Sequence, residues 1–207
     1  MGTTLLLAHG AGAPMDSPFL EVMAAGLTAR GWRVLRFEFP YMAQRRLDGR
    51  QRPPDRLPKL LEAFRAEVAA LHGQGPLVIG GKSMGGRIAS LLVDELAAAG
   101  EVCGCLCLGY PFHPPGKPGQ LRTAHLATLT TPTLILQGER DSFGRRDEVE
   151  GYDLSPAVTV QWITAGDHSF RPPRSSGRSE ADNLALAIER ADHVGRQRFG
   201  LEPLTPG

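Results

Sequence analysis

One serine of this chain stands in a pattern that could make it a nucleophile. Residues 81–85 read Gly-Lys-Ser-Met-Gly, after an apolar run and before a helical pattern. A serine in Gly-x-Ser-x-Gly between a strand and a helix sits on a sharp turn that exposes its hydroxyl. The flanking glycines let the strand and the helix approach where a Cβ would block them. The pattern predicts Ser83 as a nucleophile, although a glycine-rich turn without chemistry would have the same sequence.

A serine hydroxyl needs a neighbouring base that takes its proton. Of the six histidines, His168 is the one that follows both Ser83 and the last predicted strand, at the edge of the sheet where Ser83 lies. Where the nucleophile lies on a strand-to-helix turn, the triad residues follow one another along the chain as serine, acid and histidine. The orienting carboxylate should therefore come after the strand before the last one. Asp141 is our first choice there, Glu139 is the alternative and Asp147 is a more distant third. Ser83, His168 and Asp141 would form a catalytic triad.

Acyl transfer also needs amide groups that bind the oxygen on which negative charge develops. The Met84 amide, directly after the nucleophile, is one predicted donor. The second should come from the loop after the first strand, where residues 9–12 read His-Gly-Ala-Gly. We favour Ala11, with Gly12 as the alternative, because glycines let this backbone approach a substrate closely. An ordinary tight turn would explain the same glycines.

The elements that must position these residues alternate along the chain. The predicted strands are Thr3–Ala8, Arg33–Phe39, Leu77–Gly80, Val102–Leu108, Thr133–Gln137 and Val158–Ile163. The predicted helices are Pro18–Ala29, Leu57–Leu71, Met84–Ala99, Ala124–Leu129 and Ser179–Arg198. Such alternation predicts right-handed crossovers and a mainly parallel sheet with helices on both faces. We expect one α/β domain over residues 1–200 and a frayed tail over 201–207, where two prolines interrupt any periodicity.

Loops that follow parallel strands emerge at one edge of the sheet, where α/β proteins bind ligands. The candidate substrate contacts at this rim are His9, Tyr41, Arg45, Arg46, Arg50 and His113. Pro40–Arg56 has five arginines against two aspartates, and Tyr110–Arg122 is also basic, whereas Gly138–Asp153 has six acidic residues against three arginines. Solvated loop arginines explain this simply; a sharper hypothesis is that they attract a carboxylate or phosphate on the substrate. Tyr110–Arg122 is too short for a lid domain, so we expect an open site.

Composition excludes several classes of protein. The 207 residues carry a formal net charge of +1, which predicts neither nucleic-acid nor membrane binding. No apolar run approaches the ~20 residues that span a bilayer, and the first residues lack a leader pattern, so a cytoplasmic location is expected. Cys103, Cys105 and Cys107 alternate along a strand, where neighbours cannot form an ordinary disulfide and serve as packing residues. We expect no metal, no cofactor, a small-molecule substrate and a monomer or homodimer.

The motifs together resemble the α/β-hydrolase superfamily. More narrowly, the chain is similar to small hydrolases related to the testis-expressed and chromatin-complex hydrolase-like proteins. The likeness runs from about Leu5 to the last helix and implies an α/β-hydrolase fold with a serine triad. It rests on His-Gly-Ala-Gly (9–12), Met-Asp-Ser-Pro-Phe (15–19), Phe-Pro-Tyr (39–41), Gly-Lys-Ser-Met-Gly-Gly-Arg (81–87), Gly-Tyr-Pro-Phe-His-Pro-Pro-Gly-Lys (109–117), Gln-Gly-Glu-Arg-Asp (137–141) and Gly-Asp-His (166–168). Dienelactone-type hydrolases, a neighbouring group, usually have a cysteine nucleophile, and Ser83 departs from that.

The sequence therefore predicts a carboxylesterase-like serine hydrolase that cleaves an ester, thioester or amide through an acyl-enzyme. Two alternatives stay open at this point. One is a non-catalytic module that has kept the fold, since fold does not imply function and some larger relatives in the resembling group act within protein assemblies. The other is a cofactor-free perhydrolase, which would transfer the acyl group to peroxide instead of water.

Overall fold

A single sheet of six parallel strands forms the centre of the protein. The computed structural model describes residues 2–201. The strands are β1 (Thr4–Ala8), β2 (Arg33–Phe37), β3 (Leu77–Lys82), β4 (Gly104–Leu108), β5 (Thr133–Gly138) and β6 (Val158–Ile163). They lie in the order β2-β1-β3-β4-β5-β6, and each neighbouring pair is parallel. This confirms the predicted single α/β fold. Apart from Leu201, the predicted tail over 201–207 lies outside the described residues.

Helices cover both faces of the sheet. They are α1 (Pro18–Thr28), α2 (Pro40–Asp48), α3 (Leu57–Ala69), α4 (Met84–Ala98), α5 (Arg146–Val149) and α6 (Glu180–Arg198), with a 3-10 turn at Arg174–Ser176. Successive side chains of a strand point to opposite faces. Accordingly, Leu5 and Leu7 of β1 pack in one buried cluster with α1 and α6, whereas Leu6 packs in the other cluster with α3 and α4. No helix within residues 2–201 is long and apolar enough to cross a membrane.

The strands next to the site are apolar on both faces, as parallel strands between two helical layers must be. All residues of β1, β4 and β5 are buried. Cys105 and Cys107 lie on β4 with their sulfurs 3.8 Å apart and no disulfide, while Cys103 lies just before the strand and is partly buried. The interpretation of these cysteines as packing residues is confirmed.

Three local expectations need correction. Segment 40–56, read as a rim loop, begins with helix α2, which has proline at its first position and the left-handed Gly49 at its end. Segment 138–153 likewise contains the short helix α5. The helix predicted over Ala124–Leu129 is instead a run of turns at 124–128. The turns do not continue as a helix, because the Asp94 carboxylate accepts hydrogen bonds from the Thr130 and Thr131 amides. These bonds fix the chain outside a helical path.

The strand order determines where loops can converge. The chain goes from β1 through α1 to one side of the sheet, and from β3 through α4 to the other side. Loops leaving β1 and β3 therefore turn to opposite faces and leave a crevice between them. The loop after β1 begins at His9, and the turn after β3 holds Ser83.

Candidate active site

Ser83 occupies a strained turn between β3 and α4. Its backbone has φ 50° and ψ −114°, in a region that residues with a Cβ rarely adopt. Its amide donates to the carbonyl oxygen of Leu108 on β4 at 3.0 Å, which ties the turn to the sheet. Helix α4 begins directly after this turn, at Met84.

Two glycines make this turn possible, as the sequence predicted. A Cβ on Gly81 would lie 2.5 Å from the Ala8 carbonyl oxygen, and one on Gly85 would lie 2.6 Å from the His9 carbonyl oxygen. Both distances are far inside van der Waals contact, and the atoms met are rigid backbone. The first turn of α4 can therefore approach the end of β1 only because these positions lack side chains.

The structure brings Ser83, His168 and Asp141 into one hydrogen-bonded chain. His168 Nε2 lies 2.9 Å from Ser83 Oγ, and His168 Nδ1 lies 2.8 Å from Asp141 Oδ2. These contacts join residues from three loops that are 27 and 85 positions apart in sequence. With Nδ1 protonated and donating to the carboxylate, Nε2 is left free to accept the serine proton. The catalytic role of the three side chains stays a prediction.

Asp141 is fully buried and held on both oxygens. Oδ2 accepts a second hydrogen bond from Gln137 Nε2 at 3.0 Å, and Oδ1 accepts from the Phe143 amide at 2.8 Å. These donors compensate the carboxylate for the water it has lost. Glu139, the alternative acid, points elsewhere: it accepts from Arg146 and from the Ala165 amide.

The surroundings of His168 favour its neutral form. Burial lowers the imidazole pKa below its ordinary value of 6.5, and the Lys82 ammonium lowers it further, whereas the hydrogen bond to Asp141 raises it. The Phe143 ring stacks on the imidazole with 4.1 Å between centroids and 27° between planes. A neutral, sterically fixed imidazole is the state that a general base needs.

Lys82 is a partly buried lysine directly before Ser83. Its ammonium donates to the backbone carbonyl of His168 and lies 5.1 Å from the centre of the Phe19 ring. Burial lowers the Lys82 pKa to about 8, against attraction by Asp141 and Asp167. A Cβ on Gly109 would come within 2.8 Å of this ammonium, so the glycine leaves room for it.

The two predicted oxyanion donors, Ala11 and Met84, come from the loop after β1 and from the start of α4. Ala11 and Met84 line the same cleft as Ser83, and the described residues make no hydrogen bond to either amide. Tyr41 supports the first loop, since its hydroxyl donates to the Ala11 carbonyl at 2.8 Å. His9 is buried behind it, with Nδ1 donating to the Gly10 carbonyl at 2.6 Å and Nε2 accepting from the Phe39 amide at 3.1 Å. Gly12 does not line the cleft.

A cleft of about 390 Å³ opens beside the serine. Its apolar wall includes Leu57, Leu60, Ile88, Pro111 and Phe143. Its charged residues are Asp55, Arg87 and Arg122, none of which the sequence analysis had named individually as a contact. Arg87 is four residues after Ser83, and residues four apart lie on the same face of a helix. This spacing could have predicted from the sequence that Arg87 lies near the nucleophile. No comparable signal in the sequence marks Asp55 or the partly buried Lys82.

The predicted rim residues lie outside this cleft, except for the support that Tyr41 and His9 give to its first loop. Arg46 forms ion pairs with Glu38 and Asp16, and Arg45 donates to the Gly12 carbonyl at 3.3 Å. Together with Pro14 and Met42, these two arginines line a separate pocket of about 140 Å³. Arg50 is exposed on the segment after α2. His113 is buried, with Nδ1 donating to the Pro114 carbonyl and Nε2 3.2 Å from Glu148.

Comparison of the sequence with known protein families gives one match. The sequence model of a family described as an alpha/beta hydrolase domain matches residues 1–195, nearly the whole chain. The chain belongs to the alpha/beta hydrolase family. The narrower relationship to testis-expressed and chromatin-complex proteins is not shown by this match.

Several solved structures share this fold. An alpha-beta serine hydrolase homologue from Coxiella burnetii is 18% identical, with a TM-score of 0.67 over 91% of this chain and 84% of that chain. Est1E from Butyrivibrio proteoclasticus is 14% identical, with a TM-score of 0.67 over 96% and 89%. A dienelactone hydrolase from Anabaena variabilis is 22% identical, with a TM-score of 0.66 over 93% and 86%. At these identities the likeness concerns the fold.

Proposed function

We propose that this alpha/beta hydrolase is a serine hydrolase that cleaves a small ester, thioester or amide. The observation that carries the proposal is the hydrogen-bonded chain from Ser83 Oγ through His168 to the buried Asp141 carboxylate. A base and an orienting acid in this register have no use in a module that only binds. The cleft of about 390 Å³ beside the serine is of a size that suits a small ligand.

In the proposed acylation step, Ser83 Oγ attacks the carbonyl carbon of the substrate while His168 Nε2 takes the hydroxyl proton. The carbonyl oxygen becomes negative and accepts hydrogen bonds from the Met84 and Ala11 amides, at the positively polarised start of α4. Asp141 stabilises the imidazolium without taking its proton. The tetrahedral intermediate then collapses, the bond to the leaving group breaks, and His168 returns the proton to that group.

Deacylation follows the same course with water in place of the serine hydroxyl. His168 Nε2 takes a proton from water as its oxygen attacks the acyl carbon, and the same two amides bind the second oxyanion. The bond from the acyl carbon to Ser83 Oγ breaks, and the oxygen receives the proton from the imidazolium. The acid is released and the serine is regenerated, so the cycle needs no redox partner and no cofactor.

The test is covalent labelling combined with turnover. A fluorophosphonate should modify the wild-type protein at Ser83, and Ser83→Ala should abolish labelling and reduce hydrolysis of a short aryl ester by about 10³-fold or more. Ser175→Ala, at an exposed serine of the 3-10 turn, is the matched control and should behave as the wild type. Unchanged turnover in folded Ser83→Ala would remove the proposal, and faster acyl transfer to peroxide than to water would favour a perhydrolase.

A further inference from the structure

Two arginines, Arg87 and Arg122, line the same cleft as the proposed nucleophile Ser83. Arg87 is on the first turns of α4, and its amide donates to the Ser83 carbonyl at 3.0 Å, so the two residues are one helical turn apart. Arg122 comes from the segment between β4 and β5, and both arginines line the cleft with Ser83. A helical turn of about 5.4 Å puts the Arg87 side chain within reach of a substrate bound at the serine.

Within residues 2–201, neither guanidinium has a hydrogen bond or an ion pair. Arg87 Nε is buried without any acceptor. Arginines elsewhere on the protein are commonly paired; for example, Arg46 binds Glu38 and Asp16, and Arg65 binds Glu95. Among the described residues, the guanidinium groups of Arg87 and Arg122 have no such carboxylate partner, and Arg87 Nε is both buried and without an acceptor.

The remaining polar groups of the cleft do not neutralise these cations. Asp55 lines the cleft, but its carboxylate is occupied by Lys59 at 3.0 Å and by the Tyr41 amide at 2.9 Å. Burial and the charge of Arg87 lower the pKa of Arg122, and the same two causes lower the pKa of the neighbouring His125 to about 4. His125 is therefore neutral near pH 7, so it adds no third positive charge and, as an imidazole, supplies no anion to the two arginines.

Two neighbouring, partly desolvated cations without an anion oppose folding, because each has lost water and each repels the other. Such an arrangement is compensated when a ligand supplies the negative charge. Guanidinium groups bind carboxylate and phosphate oxygens through paired hydrogen bonds, and they do so most strongly where water is excluded.

We infer that Arg87 and Arg122 form the binding site for an anionic group of the substrate, a carboxylate or a phosphate a few bonds from the scissile carbonyl. This rests on the proposed serine hydrolysis and adds the substrate class. It also moves the expected anion site from Arg45, Arg46 and Arg50 to the cleft, because Arg46 and Arg45 are already engaged by the protein's own oxygens.

The first test measures binding without turnover. In Ser83→Ala, calorimetry compares the mono-4-nitrophenyl ester of adipic acid with its neutral methyl ester, and with the ester in which a phosphonate replaces the carboxylate. The anionic esters should bind about tenfold or more tightly than the neutral one. The advantage should shrink as added salt screens the charges. The tighter of the two anionic esters identifies carboxylate or phosphate as the preferred group.

The variants decide which arginines carry the preference. Arg87→Gln and Arg122→Gln should each weaken binding of the anionic ester much more than binding of the neutral ester. Arg65→Gln, at an arginine remote from the cleft, is the matched control. Equal binding of charged and neutral esters, or a preference that survives in the double variant, would overturn the inference. So would a preference lost only when Arg45, Arg46 and Arg50 are replaced together.

Turnover by the wild-type chain separates failure of this inference from failure of the proposed function. Hydrolysis of the neutral ester that depends on Ser83, with no preference for anions, would leave the hydrolase assignment standing and remove the anion site. If the anionic ester binds more tightly but no hydrolysis depends on Ser83, the anion site stands and the hydrolase assignment falls.

Discussion

The ammonium of Lys82 donates a hydrogen bond to the backbone carbonyl of His168. It thereby joins the residue before the proposed nucleophile to the loop that carries the proposed base. The contact is partly buried, so the lysine loses much of its water and the carbonyl becomes one of its few polar partners. A lysine in this position fixes the loop after β6 against the end of β3 and adds a positive charge next to the imidazole.

Replacing Lys82 with Met should therefore change both the rate and its pH dependence. We expect kcat to fall by about 10- to 100-fold as the His168 loop loses its anchor, with KM little changed. Because the ammonium lowers the His168 pKa, its removal should shift the acid limb of the kcat/KM profile to higher pH. The exposed Lys117→Met is the control. A lower rate with an unmoved acid limb would mean that Lys82 acts only on folding.

The wild-type pH profile tests His168 as the base. Because burial lowers its pKa, kcat/KM should rise with pH through a single ionisation centred below 6.5, as the imidazole loses its proton. Activity should then be level through neutral pH. The measurement is kcat/KM for a neutral ester, whose own charge does not change. A midpoint well above 6.5 would contradict the assigned environment of the imidazole.

The acid of the triad can be tested by comparing two carboxamide substitutions. Asp141→Asn should lower kcat by about 10³- to 10⁴-fold, because the amide no longer selects the Nδ1-protonated tautomer of His168. Glu139→Gln should have a small effect, since Glu139 binds Arg146 and the Ala165 amide instead of the imidazole. Circular dichroism of both variants checks that they fold. The opposite ranking of the two rates would move the acid to Glu139.

Tyr41 should support catalysis without contacting the reacting atoms. Tyr41→Phe removes the hydrogen bond to the Ala11 carbonyl, which is worth about 1 kcal/mol and orients the adjacent loop amides. We expect kcat to fall by about 3- to 10-fold with KM nearly unchanged, because the lost interaction acts on the oxyanion. Tyr152→Phe is the control, at a tyrosine outside the cleft. A loss confined to KM would argue that Tyr41 acts on substrate binding instead.

Gly85 should tolerate no side chain. In Gly85→Ala the new Cβ would lie 2.6 Å from the His9 carbonyl oxygen, so α4 must move away from β1. We expect a loss of about 1 to 3 kcal/mol in the free energy of unfolding, measured in urea, and a lower kcat as the Met84 amide is displaced. Gly119→Ala, where a Cβ meets nothing within 4 Å, should be neutral. Full activity in Gly85→Ala would show that the turn is less tightly packed than described.

The sequence alone determined the fold and the members of the proposed triad. Strand and helix periods and the chain order of serine, acid and histidine depend on local pattern and on the rule that loops after parallel strands share one edge. These features were sufficient to single out Ser83 and His168, and to prefer Asp141 over Glu139 without excluding the latter.

Only the tertiary structure decided the surroundings of these residues. The separation of Asp141 from Glu139 depends on which carboxylate the β5 turn aims at the imidazole. The partial burial of Lys82 and the pairing of Arg46 with Asp16 depend on contacts between segments distant in sequence. So does the lack of a partner for the Arg87 and Arg122 guanidinium groups within residues 2–201. Charge counted along a segment says how many cations a loop carries. Which of them lack a partner is set by the three-dimensional positions of the acids, because Coulomb attraction and desolvation act through space.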